Sequence, residues 1–368
     1  MRSTLILLLF KLLFFFLNVG LNVGLNAPNA PTKLGPQLGQ SSHVLSNPAA
    51  LGTWSWGNKL LYSYSSKTDD APILQAYKRS RQMGVNVFDT GDSYGTGELE
   101  GNAERLLRTC EDSYRNEHGD EDSNKAIFIA KIAPYPWLLT SESYYSKIQA
   151  SHSKLIHDST DSIFIPSIHW SPQKYLPFQV QTLYTSLLKS YETGLCTEIG
   201  FSNLGANELL KAGEYFQKNN VPIACNQIQC SLVVDFERDV EKAVEVARDI
   251  GVTTFGYSPL GLGLLVGERR TRSGVRKRLF ESIENDKGYK HLRETLKGIA
   301  EERGVEVENV AIAWVRKKGL VPLVGCRNAK TAEVNFRDFE ITEEEFESLE
   351  EARARNERKG TRNIFMTD

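Results

Sequence analysis

The stretch Ala126-Ile127-Phe128-Ile129-Ala130-Lys131-Ile132 decides the fold. It is apolar at almost every position, so an extended chain here has both faces buried. Strands of parallel sheets covered on both sides have this character. Helical patterns flank it, over Ala103–Cys110 and Ser143–Ile156. Outward from it the same alternation repeats. Strands are expected at Leu51–Trp54, Asn86–Thr90, Ser162–His169, Glu198–Ser202, Ala224–Gln229, Thr253–Tyr257 and Leu320–Val324. Helices are expected at Ala71–Met83, Phe178–Tyr191, Ala206–Lys218, Val240–Ile250, Lys290–Arg303 and Thr331–Phe336. Eight strand–helix units favour an α/β chain closed into a (β/α)8 TIM barrel, in a single domain. No Gly-x-Gly-x-x-Gly joins a strand to a helix, which argues against the doubly wound dinucleotide fold.

The 368 residues precede and fill this pattern unevenly. Leu5–Leu17 is apolar apart from Lys11 and follows Arg2, which reads as a signal-like leader over residues 1–20. Residues 21–44 are rich in Asn, Gly, Pro and Ser and read as a disordered transit or linker segment, with the barrel over residues 45–368. No acid occurs before Asp69. An acid-free segment behind an apolar leader resembles a two-part plastid leader, so a plastid is the expected location, with the secretory pathway or ER as the alternative. Membrane contact is expected only through an uncleaved leader. Two insertions stand out. Glu111–Lys125 is acid-rich and reads as a solvated loop on the N-terminal side of the barrel. Gly261–Gly288 carries Arg269, Arg270, Arg272, Arg276, Lys277 and Arg278 on the C-terminal side, as a solvated surface or a phosphate clamp. The tail Thr342–Arg355 reads as a charged helix packed over the barrel.

A net charge of −2 gives no footprint for nucleic acid. The five cysteines, Cys110, Cys196, Cys225, Cys230 and Cys326, include no Cys-x-x-Cys pair. Cys225 and Cys230 share one extended segment and would lie roughly 16 Å apart, too far for a disulfide. They read as buried small apolar residues, and the lack of a disulfide pattern fits a reducing compartment. His152 and His157 are five apart and do not share a helix face, so no metal site is expected.

Polar groups at the C-terminal ends of strands are where a barrel of this kind places its chemistry. Those ends carry Asp89, Tyr94, Lys131 and His169. Singly, each has an ordinary structural role available. Together they suit reduction of a carbonyl by hydride, which needs a proton delivered to the oxygen. A tyrosine near its usual pKa of ~10 releases that proton poorly near neutrality. Lys131 would stabilise the phenolate and lower that value, Asp89 would hold Lys131, and His169 would hydrogen-bond the substrate oxygen.

These segments resemble the aldo-keto reductase superfamily. Phe88–Gly95 resembles the family's Asp and Tyr segment, Ile129–Ile132 its Lys strand and Ile168–Trp170 its His strand. Gly52–Gly57 resembles the opening segment of plastid-type and bacterial members and includes Thr53. The resemblance covers residues 45–355 and implies NADPH as cofactor. Ser202 and Asn203 look like the pair that holds the nicotinamide carboxamide, with Gln227 on the same group. Gly256–Leu260 resembles the segment whose aromatic ring, here Tyr257, stacks on the nicotinamide, followed by Ser258 and Leu260. Gly325, Arg327 and Asn335 resemble the adenosine-phosphate end, with Arg327 as partner of a 2′-phosphate. Val334 departs from the family's Glu or Gln, and Thr331 stands where another contact is often seen.

The implied activity is reduction of a small-molecule aldehyde or ketone, with Tyr94 as proton donor. The alternative is a cofactor-binding regulatory subunit on the same fold acting through a protein partner, which resembles the potassium-channel β subunits. An aldolase using Lys131 as a Schiff base is a third reading, but it leaves Tyr94, Ser202, Asn203 and Tyr257 without a task. Trp54, Trp56, Trp137 and Trp170 either wall a substrate pocket or simply pack. Substrate identity and oligomeric state stay open.

Overall fold

The computed structural model describes residues 37–40, 43–95, 101–119, 124–156, 162–234, 238–267, 280–281, 283–356 and 366–367. The leader, most of the 21–44 segment, His157 and the basic cluster Arg269–Arg278 lie outside them.

The strands are β1 (Ala50–Gly52), β2 (Val87–Gly91), β3 (Ala126–Ile132), β4 (Ser162–Ile168), β5 (Ile199–Ser202), β6 (Ile223–Gln229), β7 (Thr253–Tyr257) and β8 (Val321–Gly325). Each pairs in parallel with the next, and β1 pairs with β8, closing the barrel. The helices are α1 (Lys59–Tyr62), α2 (Ser66–Gln82), α3 (Asn102–His118), α4 (Ser141–Leu155), α5 (Pro177–Glu192), α6 (Ala206–Lys218), α7 (Arg238–Asp249), α8 (Lys287–Arg303), α9 (Val307–Lys317), α10 (Ala329–Asn335) and α11 (Glu343–Ala354). The chain is a (β/α)8 TIM barrel, and all eight expected strands are present to within two residues at each end.

Two layers of apolar packing follow from the strand period of two. Outward residues such as Phe88, Phe128 and Phe201 pack under the helices, with Tyr77 of α2 lying 4.7 Å from the Phe88 ring. Val87, Ile127, Ile129, Ile165, Cys225, Phe255 and Leu323 form a separate buried cluster inside the barrel. Leu38 belongs to that interior cluster and is fully buried. It arrives on a short antiparallel bridge between Gln37 and Val44, tied down by Gly39 N–H to Thr253 Oγ1 at 2.6 Å. Packed structure therefore begins before residue 45. The Asn-, Gly- and Ser-rich composition of this stretch hid a plug carried by one leucine.

Two further departures have physical causes. Helix α3 runs through Cys110 to His118, so Glu111 and its neighbours are helix and not solvated loop. Glu111 is fully buried, accepting from the Tyr77 hydroxyl and, at 2.9 Å, from Arg115 Nε. Its charge is an internal partner, which composition reads as solvent-facing. Helix α9 was not expected. It buries Val310, Ala311, Ile312, Ala313, Trp314 and Val315 in succession, and a continuous apolar run this short does not distinguish a helix from a strand. Helix α11 packs over the barrel through Leu349 and Ala352. All five cysteines are buried and unbridged.

Candidate active site

The interior positions change character along each strand. Val87 is followed two residues later by Asp89, Ile129 by Lys131, Ile165 by Ser167, Cys225 by Gln227 and Phe255 by Tyr257. The apolar filling thus gives way to polar side chains at the C-terminal mouth. Asp89 and Lys131 are 1% and 2% exposed, so neither charge is solvated. They form an ion pair, and Lys131 Nζ also donates to Gln227 Oε1 at 2.9 Å. Gln227 Nε2 returns a 2.8 Å bond to Asp89 Oδ1, closing a three-membered ring of contacts. Burial pushes the Asp89 carboxyl up and the Lys131 ammonium down, and each partner pulls the other back toward its charged form.

Tyr94 lies just beyond β2. Its backbone N–H bonds Gly91 O at 3.0 Å, and its ring sits 5.0 Å from Lys131 Nζ. Its phenol is held well above the ordinary tyrosine value, by burial first and then by Asp89. The expected lowering by Lys131 does not prevail: burial raises the value first, and the Asp89 charge adds to it. Resting Tyr94 is a protonated acid. His169 follows β4, its ring centroid 5.8 Å from that of Tyr94. Burial and then the Lys131 charge push its pKa well below the usual imidazole value, so it is neutral at pH 7. Its Nδ1 is buried with no partner among the described residues.

A second set of polar groups adjoins the first. Ser202 Oγ donates to Gln227 O at 3.2 Å. Asn203 Nδ2 donates to His169 O at 2.9 Å and to Ser202 Oγ at 3.1 Å, while Asn203 Oδ1 accepts from the Tyr257 hydroxyl at 2.9 Å. Asn203 and Ser258 adopt φ values of 66° and 56°, a left-handed backbone that costs a non-glycine residue free energy. Both lie on strand-to-helix turns at the mouth, where such strain concentrates in functional sites. Leu260 packs between the two outer apolar clusters.

The remaining candidates lie around β1 and β8. Thr53 is fully buried, its backbone N–H on Asp89 O at 3.0 Å and its Oγ1 without a partner among the described residues. Asn335 Nδ2 donates to Gly325 O at 3.1 Å, leaving Asn335 Oδ1 buried and without a partner among the described residues. Arg327 stands at the outer edge, paired with Asp69 at 2.6 Å and 5.7 Å from the Tyr62 ring. Unsatisfied buried polar atoms are uncommon in folded proteins. Thr53 Oγ1 and His169 Nδ1, just past two strand ends, and Asn335 Oδ1, at the end of α10 against the end of β8, fit a polar ligand lying across the mouth, and a dinucleotide has the groups to satisfy them.

A family model described as the aldo/keto reductase family matches residues 49–354. The chain belongs to the aldo/keto reductase family. It is 35% identical over 326 residues to a chloroplastic pyridoxal reductase of Arabidopsis thaliana, covering 87% of each chain. It is 23% identical over 310 residues to the aldo-keto reductase yakc of Schizosaccharomyces pombe, whose name carries NADP(+), covering 79% of this chain and 84% of that one. Among solved structures, the glycerol dehydrogenase AKR11B4 of Gluconobacter oxydans superposes with a TM-score of 0.66 at 21% identity, covering 89% of this chain and 97% of that one. As a member of this family the chain is an oxidoreductase that acts on carbonyl compounds.

Several side chains at this mouth carried no sequence signal. Ser167 is buried with its hydroxyl unpartnered among the described residues, and only its in-out position two residues past Ile165 marks it. Thr367, at the far end of the chain, donates its N–H to Asn203 O at 3.1 Å and accepts from Gly205 N–H at 3.0 Å. Asp92 is buried between the ends of β2 and β3 and accepts the Ala133 N–H at 3.2 Å. Asp69 lies opposite Arg327 although 258 residues separate them. Trp56, in contrast, is fully buried with Nε1 on Cys326 O at 2.8 Å and serves packing, not a pocket wall.

Proposed function

We propose that the protein is an NADPH-dependent reductase of aldehydes, with Tyr94 as the proton donor and pyridoxal as the first substrate to test. The observation that carries this reading is the buried Asp89–Lys131–Gln227 ring beneath a protonated Tyr94 and beside a neutral His169. Bound NADPH supplies the hydride. Tyr94 delivers its hydroxyl proton to the carbonyl oxygen as negative charge develops there. Lys131, held by Asp89 and Gln227, stabilises the phenolate left behind. His169, neutral, donates a hydrogen bond that orients the same oxygen, a role an imidazolium would perform at greater cost in a dry site. Ser202, Asn203 and Tyr257 are assigned to the nicotinamide end, joined by Thr53, Ser258 and Leu260. Gly325, Arg327 and Asn335 are assigned to the adenosine phosphate.

The substrate class draws on two supports. One is the pyridoxal reductase relative at 35% identity. The other is the aromatic lining after β3 and β4, where Tyr135 stacks on Trp137 at 4.8 Å and Trp170 Nε1 donates to Tyr175 Oη at 2.5 Å. Flat rings beside the mouth favour a flat, aromatic aldehyde. A plastid location is proposed on the chloroplastic relative together with the acid-free leader.

The test is a fluorescence titration of the full chain with NADPH, then NADPH consumption with pyridoxal and a panel of aliphatic aldehydes. Saturable binding with faster turnover of pyridoxal is expected. Binding with no turnover of any aldehyde would favour the regulatory-subunit reading. A folded protein that binds no dinucleotide would end the reductase reading.

A further inference from the structure

The outer end of the cofactor site carries a charge that works against the assigned ligand. Arg327 is the residue assigned to a 2′-phosphate, and its guanidinium Nη2 is already taken by Asp69 Oδ1 at 2.6 Å. The pair spans two elements, the end of β8 and the first turn of α2. Asp69 is fixed there, because its other oxygen accepts the Ser65 N–H at 2.7 Å where the helix begins. Arg327 is fixed too, through Tyr62 O at 3.4 Å and the Tyr62 ring. The neighbouring polar side chains are committed elsewhere. Asn328 Oδ1 accepts from Thr331 N and Oγ1 at 2.8 and 2.9 Å. At this corner Arg327 and Asp69 carry opposite charges and face each other.

We propose that Asp69 is a specificity-determining residue that restrains the preference for NADPH over NADH; the inference rests on the cofactor assignment above. A 2′-phosphate carries close to two negative charges and accepts hydrogen bonds only. To reach Arg327 it must displace the Asp69 carboxylate and then remain beside it. A 2′-hydroxyl meets no such repulsion. It can donate to a carboxylate and accept from a guanidinium, and an acidic side chain is a standard partner for that hydroxyl in NAD sites. The two partners are 23% and 21% exposed, so solvent screens the pair and it opens readily when a better anion arrives. Asp69 thus tempers phosphate recognition without abolishing it, and a single acid sets how far the two cofactors are separated.

The experiment titrates the full chain and its Asp69→Asn variant with NADPH and NADH by fluorescence, and with 2′,5′-ADP and 5′-AMP by calorimetry. Asn keeps an acceptor for the Ser65 N–H, and equal thermal midpoints would confirm that the helix start is intact. The expected result is a Kd for NADPH and 2′,5′-ADP lowered about tenfold, with NADH and 5′-AMP changed by about twofold at most. The Arg327→Ala variant should lose most NADPH affinity, and Asp69→Asn added to it should recover only a part, by removing the carboxylate that repels the phosphate. An unchanged NADPH-to-NADH ratio in Asp69→Asn, or an equal change for both, overturns the inference while leaving the reductase reading standing. Failure of the wild-type chain to bind either dinucleotide overturns both.

Discussion

Gln227 Nε2 donates to Asp89 Oδ1, the same carboxylate oxygen that pairs with Lys131, across 138 residues of sequence and the width of the barrel interior. Both ends of the Gln227 amide are thereby engaged inside the barrel, since Oε1 accepts from Lys131 Nζ. A buried ion pair is seldom satisfied by its own two members, and the remaining donors and acceptors need partners. Gln227 supplies one of each.

Gln227→Leu should therefore cost about 1–3 kcal/mol, the usual penalty for leaving buried polar groups unmade. Because the ammonium loses one of its two restraints, turnover should fall with it. Denaturant unfolding of the variant checks the first, and initial rates check the second. Unchanged stability would mean that the amide does not hold the pair together.

Removing one member of the ion pair should be worse than removing both. Lys131→Met strands Asp89 in an apolar interior, and breaking a buried pair in this way typically costs 3–5 kcal/mol. The double variant Lys131→Met with Asp89→Asn removes the stranded charge and should regain much of that loss. Neither variant should reduce carbonyls at the wild-type rate, because both lack the cation beside Tyr94. Thermal midpoints of the three proteins decide it. A double variant no more stable than Lys131→Met would show that the uncompensated charge is not the source of the damage.

Tyr94→Phe tests the proton donor. The ring contact with His169 and the packing of the mouth survive, but the proton is gone. Reduction should drop by at least about 100-fold, the low end for a lost general acid, with NADPH affinity nearly intact. Wild-type turnover in this variant would reassign the donor, with His169 the next group to examine.

The barrel was legible because each strand announces itself through short runs of apolar and β-branched residues, as in Ala126–Ile132. The catalytic candidates were legible because the barrel fixes which strand ends face the mouth, so Asp89, Lys131 and His169 needed only to be located. What escaped notice did so for identifiable reasons. Leu38 is one apolar residue in a polar stretch, and a plug needs no period. Glu111 looks solvated in composition because Tyr77 and Arg115, its partners, are contributed partly by another helix. Helix α9 carries its apolar residues as one short continuous run, which reads as strand or helix alike. Asp69 and Thr367 act on residues far away in sequence: closure of the barrel between β1 and β8 brings Asp69 to Arg327, while Thr367 reaches Asn203 from beyond the last helix. The Tyr94 phenol rises because burial acts on it first and Asp89 next, and a strand-end motif does not report how deeply its side chain is desolvated.

Asp92 makes a prediction whose sign runs against the usual carboxylate. Burial pushes its pKa up to about 7, Glu104 adds to the effect, and the Ala133 N–H and more distant Lys147 and Lys154 only partly oppose it. Since the folded value is raised, the folded chain holds a proton that the unfolded chain has already released across the range from the ordinary carboxylate value up to about 7. Stability from this group is complete at low pH and is lost as pH rises through that window, with a constant penalty above it. The loss can reach about 4 kcal/mol. Asp92→Asn keeps an oxygen for Ala133 N–H and removes the charge, although its amide brings a buried donor that costs back about 1–3 kcal/mol. The variant should thus gain on the wild type as pH rises, by about 1–3 kcal/mol at pH 8, with the advantage gone near pH 4. Paired thermal melts from pH 4 to 9 measure the difference directly and cancel the titration of every other group. A gap that stays flat across that range would show that Asp92 is ionised throughout and that burial at the end of β2 is offset more fully than its contacts indicate.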